Sequence, residues 1–290
     1  MMKKMLVFLL VCAMLCASAA VFAQELPHDR AGNPISIPEE VHSIVSLAPA
    51  ITQVLLDLGM KEKLVAVDTY SAQIFGIDGI PALDMMAPDI EMIVAISPDV
   101  ILASNMTLVN DPDALSYLSV SGGPIAVIPS SDSIEGIMED VRFIGALIGK
   151  AEEADALLKP LENTIERLRA DVGNPIPVYF EIGSTPALYS FGGGTFLDEM
   201  IEIVGGRNIF AELSGWLSVS EEAVVAAAPE IIFTNEGWVD DPVSLILQRP
   251  GWENVPAVQN GKVFYINDNA SSQPNHHIVE ALEAMAEALR

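Results

Sequence analysis

Four histidines, His28, His42, His276 and His277, are all the imidazoles in this 290-residue chain, and only the last two stand together. If they lie on a helix, neighbouring side chains point about 100° apart. One imidazole is then expected to face a ligand, or both to stand at a solvated helix start, rather than both to hold one metal ion. Glu236, Asp268 and His276 form the one visible acid/base combination, and such carboxylate–histidine sets arise easily by chance. No Gly-x-Ser-x-Gly, Walker loop, His-Glu-x-x-His or Gly-x-Gly-x-x-Gly motif occurs. Gly192-Gly193-Gly194-Thr195 could cradle an anion through its backbone amides, or serve only as a flexible lead into a helix.

Thiol chemistry depends on Cys12 and Cys16, and both fall in the first 23 residues. That stretch reads as Lys3-Lys4, an apolar run from Met5 to Leu15, then small residues up to Ala23, the order of a cleavable secretory leader. The run is shorter than the roughly 20 apolar residues a bilayer span needs. Residues 1–23 are therefore expected to be removed during export, leaving no thiol, disulfide or cysteine-ligated metal. No small residues precede either cysteine in the manner of a lipid-modification site, so no lipid anchor is signalled. The chain carries a net charge of −26, and loss of Lys3 and Lys4 makes the remainder more acidic. Nucleic acid and anionic lipid surfaces are excluded as partners by repulsion.

Short β-branched runs alternate with helical patterns, the mark of α/β layering. Strands are expected at Ser43–Leu47, Leu64–Asp68, Val100–Ala103 and Ile125–Ile128, with helices at Ala50–Leu58, Ile90–Ala95 and Ile134–Ile148. A charged amphipathic stretch, Glu152–Val172, predicts a helix of about 30 Å, with a kink or break at Pro160 as the competing outcome. A second series follows: strands at Val178–Glu181, Ile231–Thr234 and Val263–Ile266, and helices at Phe196–Val204, Ser220–Ala226 and Pro274–Leu289. The organisation is then a leader (1–23), a first lobe (24–150), a linking helix (151–173) and a second lobe (174–290).

The halves echo one another. Glu91-Met-Ile-Val-Ala-Ile-Ser-Pro-Asp-Val-Ile aligns with Glu222-Ala-Val-Val-Ala-Ala-Ala-Pro-Glu-Ile-Ile. Each describes a short helix, a proline turn and a buried strand, which favours a duplicated lobe.

Several segments in order then resemble the helical-backbone substrate-binding proteins of ABC importers, the family of cobalamin, haem and ferric-siderophore receptors. They are Asp29-Arg30-Ala31-Gly32-Asn33, Ile44 to Ala50, Ile90-Glu91 with Ser97 to Ile101, Trp216 to Glu222, Arg249-Pro250-Gly251-Trp252, Gly261 to Phe264, and the helix after Gln273-Pro274. The resemblance covers nearly all of the chain after the leader. It implies an α/β fold of two similar Rossmann-like lobes joined by one long helix, with the ligand in the cleft between them and little hinge motion. It also implies an extracytoplasmic, non-enzymatic receptor, expected to be a monomer, that docks on the permease subunits of a transporter. Glu91 and Glu222 match the surface glutamates with which the family pairs permease arginines.

Ligands in open α/β folds bind where strands end. The candidates are Ser46, Pro49, Tyr70, Met85, Met86 and Asn105 with Met106 from the first lobe. The second lobe offers Tyr189, Phe191, Trp216, Glu236, Trp238, Asn269 and His276. Aromatic and methionine faces suit a broad flat ring. Where many siderophore receptors of the family carry an arginine motif, this chain reads Gln273-Pro274-Asn275-His276-His277, which favours a corrinoid or haem over a strongly anionic chelate. With haem, His276, Tyr70 or a methionine would be the axial ligand. The protein needs no cofactor of its own; any cobalt or iron arrives with the ligand. Two other readings stay open: a receptor for a free transition-metal ion, against which the few histidines count, and an exported enzyme on this scaffold using Glu236, Asp268 and His276.

Overall fold

A computed structural model describes residues 28–108, 123–169 and 173–290; the expected leader, with Cys12 and Cys16, lies outside them. In the first half, β1 (Ile44–Ser46), β2 (Leu64–Asp68), β3 (Ala82–Leu83), β4 (Val100–Ala103) and β5 (Ile125–Val127) form a parallel sheet in the order β3-β2-β1-β4-β5. Around it lie α1 (Pro49–Asp57), α2 (Thr69–Phe75), α3 (Ile90–Ile96) and α4 (Ile134–Leu147). α5 (Ala151–Arg169) leads to the second half. There β6 (Ile176–Glu181), β8 (Gly206–Asn208), β10 (Ile231–Thr234) and β11 (Val263–Tyr265) run parallel in the order β11-β10-β6-β8. A separate antiparallel pair joins β7 (Leu188–Phe191) to β9 (Trp216–Val219). The helices of this half are α6 (Phe196–Ile203), α7 (Glu221–Ala227), α8 (Pro242–Leu247), α9 (Pro256–Gln259), α10 (Asp268–Ser272) and α11 (Ile278–Ala288).

The central strands are covered on both faces, so every residue of β4 and β10 is buried and all but Thr234 are apolar. Helix starts are written in the sequence as caps. Asp89, Ser133, Thr195 and Ser220 each accept a hydrogen bond from the amide three residues on.

The internal echo corresponds to repeated topology, since β2-β1-β4-β5 and β8-β6-β10-β11 are the same strand order. α3 and α7 are both seven residues long. They end on left-handed residues that are not glycine, Ser97 at φ 50° and Ala228 at φ 48°, and each is followed by a proline. A side chain at positive φ costs energy, and the same cost recurs at the same place in both halves.

α5 runs unbroken through Pro160, so the break considered from the sequence does not occur; it is described as far as Arg169, and the expected residues beyond it, 170–172, lie outside those described. Ala154, Leu158, Leu161, Ile165 and Leu168 form its buried stripe and share one apolar cluster with residues of both halves. It packs against α4 on one side and against α6 and α11 on the other. A Cβ on Gly145 of α4 would lie 2.3 Å from that of Ala154, so only glycine permits this approach.

The last helix differs from expectation. It begins at Ile278, not Pro274, because the Asn275 side chain accepts from the His277 amide at 2.8 Å and holds residues 275–277 in a turn.

Candidate functional site

The first sheet changes winding direction between β1 and β4, where open α/β sheets form a crevice at their carboxyl ends. A cleft of about 760 Å³, counted to its open mouth, lies there. Its first-lobe wall comes from the start of α1 (Pro49, Ala50, Ile51, Val54), from Met85 after β3, from Ser104 and Met106 after β4, and from Ile128 to Ser130 after β5. Val141 and Ile144 of α4 close the back, and Ser272, Gln273 and Pro274 of the second lobe form the opposite side. The lining is predominantly apolar.

Among the described residues one carboxylate, Asp140, reaches this wall. Burial raises its pKa, opposed by hydrogen bonds from Ser131 and Arg30. Arg30 Nε donates to it at 2.6 Å and Ser131 Oγ at 2.5 Å. The Asp29-Arg30-Ala31-Gly32-Asn33 segment thereby acquires a role. Buried Asp29 accepts from the amides of Ala31, Asn33 and Val127 at 3.0, 2.7 and 2.9 Å, which pins the turn to β5 and aims Arg30 at Asp140. Among the described residues, no lysine or arginine lines the cleft.

Large aromatic faces stand exposed on the loops and strands of the second lobe. Trp216 is 56% exposed and stands on Phe191 and Phe196 at ring distances of 6.2 and 6.5 Å. Tyr189 is also exposed, as is Trp238 in the loop after β10 at 70%. On the first lobe Tyr70 is 59% exposed at the start of α2. Asn105 and Asn269 are exposed; Asn105 Oδ1 accepts from the Ser130 amide, and Asn269 Oδ1 from Gln273.

Four expected contacts need correction. Ser46 is fully buried, its hydroxyl 2.8 Å from that of Thr52, because it points back into the layer under β1. Phe191 is fully buried against Phe180 and supports Trp216 from behind. Glu236 is buried, accepting from the amide and hydroxyl of Ser184 at 2.8 and 2.9 Å, so it closes the second lobe's own switch point between β6 and β10; burial raises its pKa, opposed by Ser184. His276 lies away from the cleft lining, with Nε2 3.1 Å from Asp57 Oδ2. Met85 lines the cleft; Met86 is half-buried beside it, with its amide on Asp84.

The acid/base combination is not assembled. Glu236 bonds to Ser184, Asp268 to Tyr265 and to its own neighbour Asn269, and His276 to Asp57. Gly192 and Gly193 are engaged with the backbone of residues 213–215, donating to Gly215 and Leu213 respectively. They serve the β7–β9 unit.

The two histidines also depart from expectation. In the turn before α11 both imidazoles reach the same carboxylate, with His277 Nε2 2.9 Å from Asp57 Oδ2 and Nδ1 2.8 Å from Glu280. The hydrogen bond to Asp57, helped by Glu280 and opposed by burial, pushes the His277 pKa up to about 9. Burial works against the Asp57 carboxylate, yet hydrogen bonds from His276, His277 and Gln53 hold it well below the usual range.

Glu91 and Glu222 are exposed at the second position of α3 and α7. The Glu222 carboxyl is held below its usual pKa by its own backbone N–H and by the Ser220 hydroxyl.

Comparison with known proteins places these features in context. The family model described as "Periplasmic binding protein" matches residues 44–270. The ABC transporter substrate-binding lipoprotein YvrC of Bacillus subtilis is 24% identical over 90% of this chain and 84% of its own length. A cobalamin-binding protein of Halobacterium salinarum is 27% identical over 90% of this chain and 72% of its own. The solved vitamin B12 binding protein BtuF of Vibrio cholerae superposes with a TM-score of 0.68 at 25% identity, covering 87% of this chain and 98% of that one.

Proposed function

The chain belongs to the periplasmic binding protein family, and on that premise we propose that this substrate-binding protein of an ABC importer carries a corrinoid. It works outside the cytoplasmic membrane, exported by the leader at residues 1–23, and presents Glu91 and Glu222 to the permease. The ligand rests on the cleft wall formed by Pro49, Met85 and Met106, with Asn105 and Tyr70 at its edge. Tyr189, Trp216 and Trp238, with Asn269, face it from the second lobe.

The observation that carries this reading is an apolar cleft with no cationic side chain among its described lining residues, together with exposed indole and phenol rings elsewhere on the two lobes. Such a surface favours a broad, weakly charged ring system and leaves a catecholate or carboxylate chelate without counter-charges. A corrinoid brings its own metal ligation. Haem would draw an axial ligand from the protein; His276 is held on Asp57, which leaves Tyr70 or a methionine of the cleft wall for that role. The cobalamin-binding relatives support the same choice.

The test is a titration of the mature protein with cyanocobalamin, haemin and a ferric hydroxamate, followed by tryptophan fluorescence. Of the three tryptophans, Trp216 and Trp238 are exposed while Trp252 is 1% exposed. Corrinoid binding is expected to quench the first two, and the Trp216→Phe/Trp238→Phe double variant to lose most of the signal. Quenching by haemin or the hydroxamate alone would overturn the corrinoid assignment.

A further inference from the structure

We infer that Asp57, His276 and His277 form a site for one borderline divalent cation of the Zn²⁺ class, shared between the two lobes. Asp57 ends α1, eight residues after Pro49 and so about 12 Å further along the helix from the mouth of the cleft. His276 and His277 precede α11 in the other lobe. The ligand cleft does not use these three side chains.

The donor set is one carboxylate oxygen and two imidazole nitrogens, the mixture that suits zinc and its neighbours better than calcium or magnesium. In a tetrahedral zinc site, bonds of 2.0–2.2 Å set donor atoms about 3.3 Å apart. Here the two Nε2 atoms lie 3.1 and 2.9 Å from Asp57 Oδ2, and all three donor atoms fall within 4.8 Å of one another. An ion fits between them with small side-chain movements.

The surroundings are those of a ligand set. Glu280 accepts a hydrogen bond from His277 Nδ1 at 2.8 Å, fixing the ring so that Nε2 faces the shared point. Gln53, one turn before Asp57 on α1, donates to its Oδ2 at 2.9 Å. A polar cavity of about 260 Å³, lined by Gln53, Asn269, Gln273, Asn275 and Glu280, opens onto His277 and leaves room for a water in the fourth position. His276 is 8% exposed, and its Nδ1 has no hydrogen-bond partner. Among the described residues the one polar engagement of this buried ring is therefore through Nε2, which is aimed at Asp57 Oδ2 and the shared point.

The experiment uses the mature protein stripped with EDTA and dialysed at pH 8. Zn²⁺ is titrated against a chromophoric chelator, and Co²⁺ is used as a spectroscopic probe of the coordination sphere. One equivalent is expected to bind in the micromolar range or tighter, with visible Co²⁺ bands of a low-coordinate N/O site. Asp57→Asn and His277→Gln are each expected to weaken Zn²⁺ by at least about 100-fold, and Glu280→Gln by about 10–100-fold as the residue behind the ligand. His42→Gln, on an exposed histidine elsewhere, leaves binding unchanged. Zn²⁺ also raises the thermal midpoint of the wild type and not that of His276→Gln or His277→Gln, which carry the test should Asp57→Asn misfold. Absence of stoichiometric uptake, or uptake and stabilisation unaltered in the histidine variants, overturns the site. Neither outcome bears on corrinoid binding, which is read separately by fluorescence.

Discussion

Arg249 grips Glu181 through two parallel hydrogen bonds, Nη1 to Oε2 at 2.7 Å and Nη2 to Oε1 at 2.8 Å. Glu181 ends β6 with no solvent exposure, Tyr179 donates to it at 3.2 Å, and the guanidinium lies 4.4 Å from the Trp252 ring centre. The Arg249-Pro250-Gly251-Trp252 segment thus neutralises the one carboxylate in the second sheet. Removing the arginine strands a buried charge. Arg249→Met is expected to lower unfolding free energy by about 3–5 kcal/mol, and the Glu181→Leu/Arg249→Met double variant to recover much of that loss. Urea denaturation of the three proteins decides it; an additive double variant sinks the argument.

The paired placement of Glu91 and Glu222 predicts a separation of binding from transport. Reversal of both to Lys is expected to abolish uptake in cells while ligand affinity of the purified protein stays within twofold. The altered charges would act on docking and its rate. Uptake that persists in the double reversal removes the docking role.

In metal-free protein, the ion pair between the lobes should leave a signature in pH. His277 faces Asp57 and Glu280, with His276 and Gln53 also on Asp57. Its folded pKa is pushed up to about 9 from an unfolded value of 6.5. Its contribution to stability is therefore full below pH 6.5 and is lost as pH rises through about 9. The thermal midpoint of EDTA-treated protein is expected to fall across that window, and His277→Gln to flatten the fall. A wild-type midpoint that is level from pH 6.5 to 9 would rule the pair out as an inter-lobe tie.

Much of the scaffold was legible in the chain because burial on both faces leaves unbroken apolar runs. Val100–Ala103 and Ile231–Thr234 were located to the residue, and Glu91 with Glu222 announced the duplication. The β7–β9 pair was not legible. Its strands are short, 24 residues intervene between Phe191 and Trp216, and exposed Tyr189 and Trp216 sit beside buried or half-buried neighbours rather than forming a run. Ser46 falls in a strand the sequence located, but which way its side chain faces is set by register, which composition does not report. The convergence of His276 and His277 on one carboxylate was not legible, because Asn275 delays the helix and Asp57 lies 220 positions from His277, beyond any local pattern.

α5 has a consequence for kinetics. It is fastened to α4 on one lobe and to α6 and α11 on the other, and Glu199 of the second lobe accepts from the Ile134 amide of the first at 2.8 Å. A cleft held open by such a spar needs no closure step before the ligand can be retained. Observed association rates are then expected to rise linearly with ligand concentration in a single phase, without the plateau that a prior rearrangement imposes.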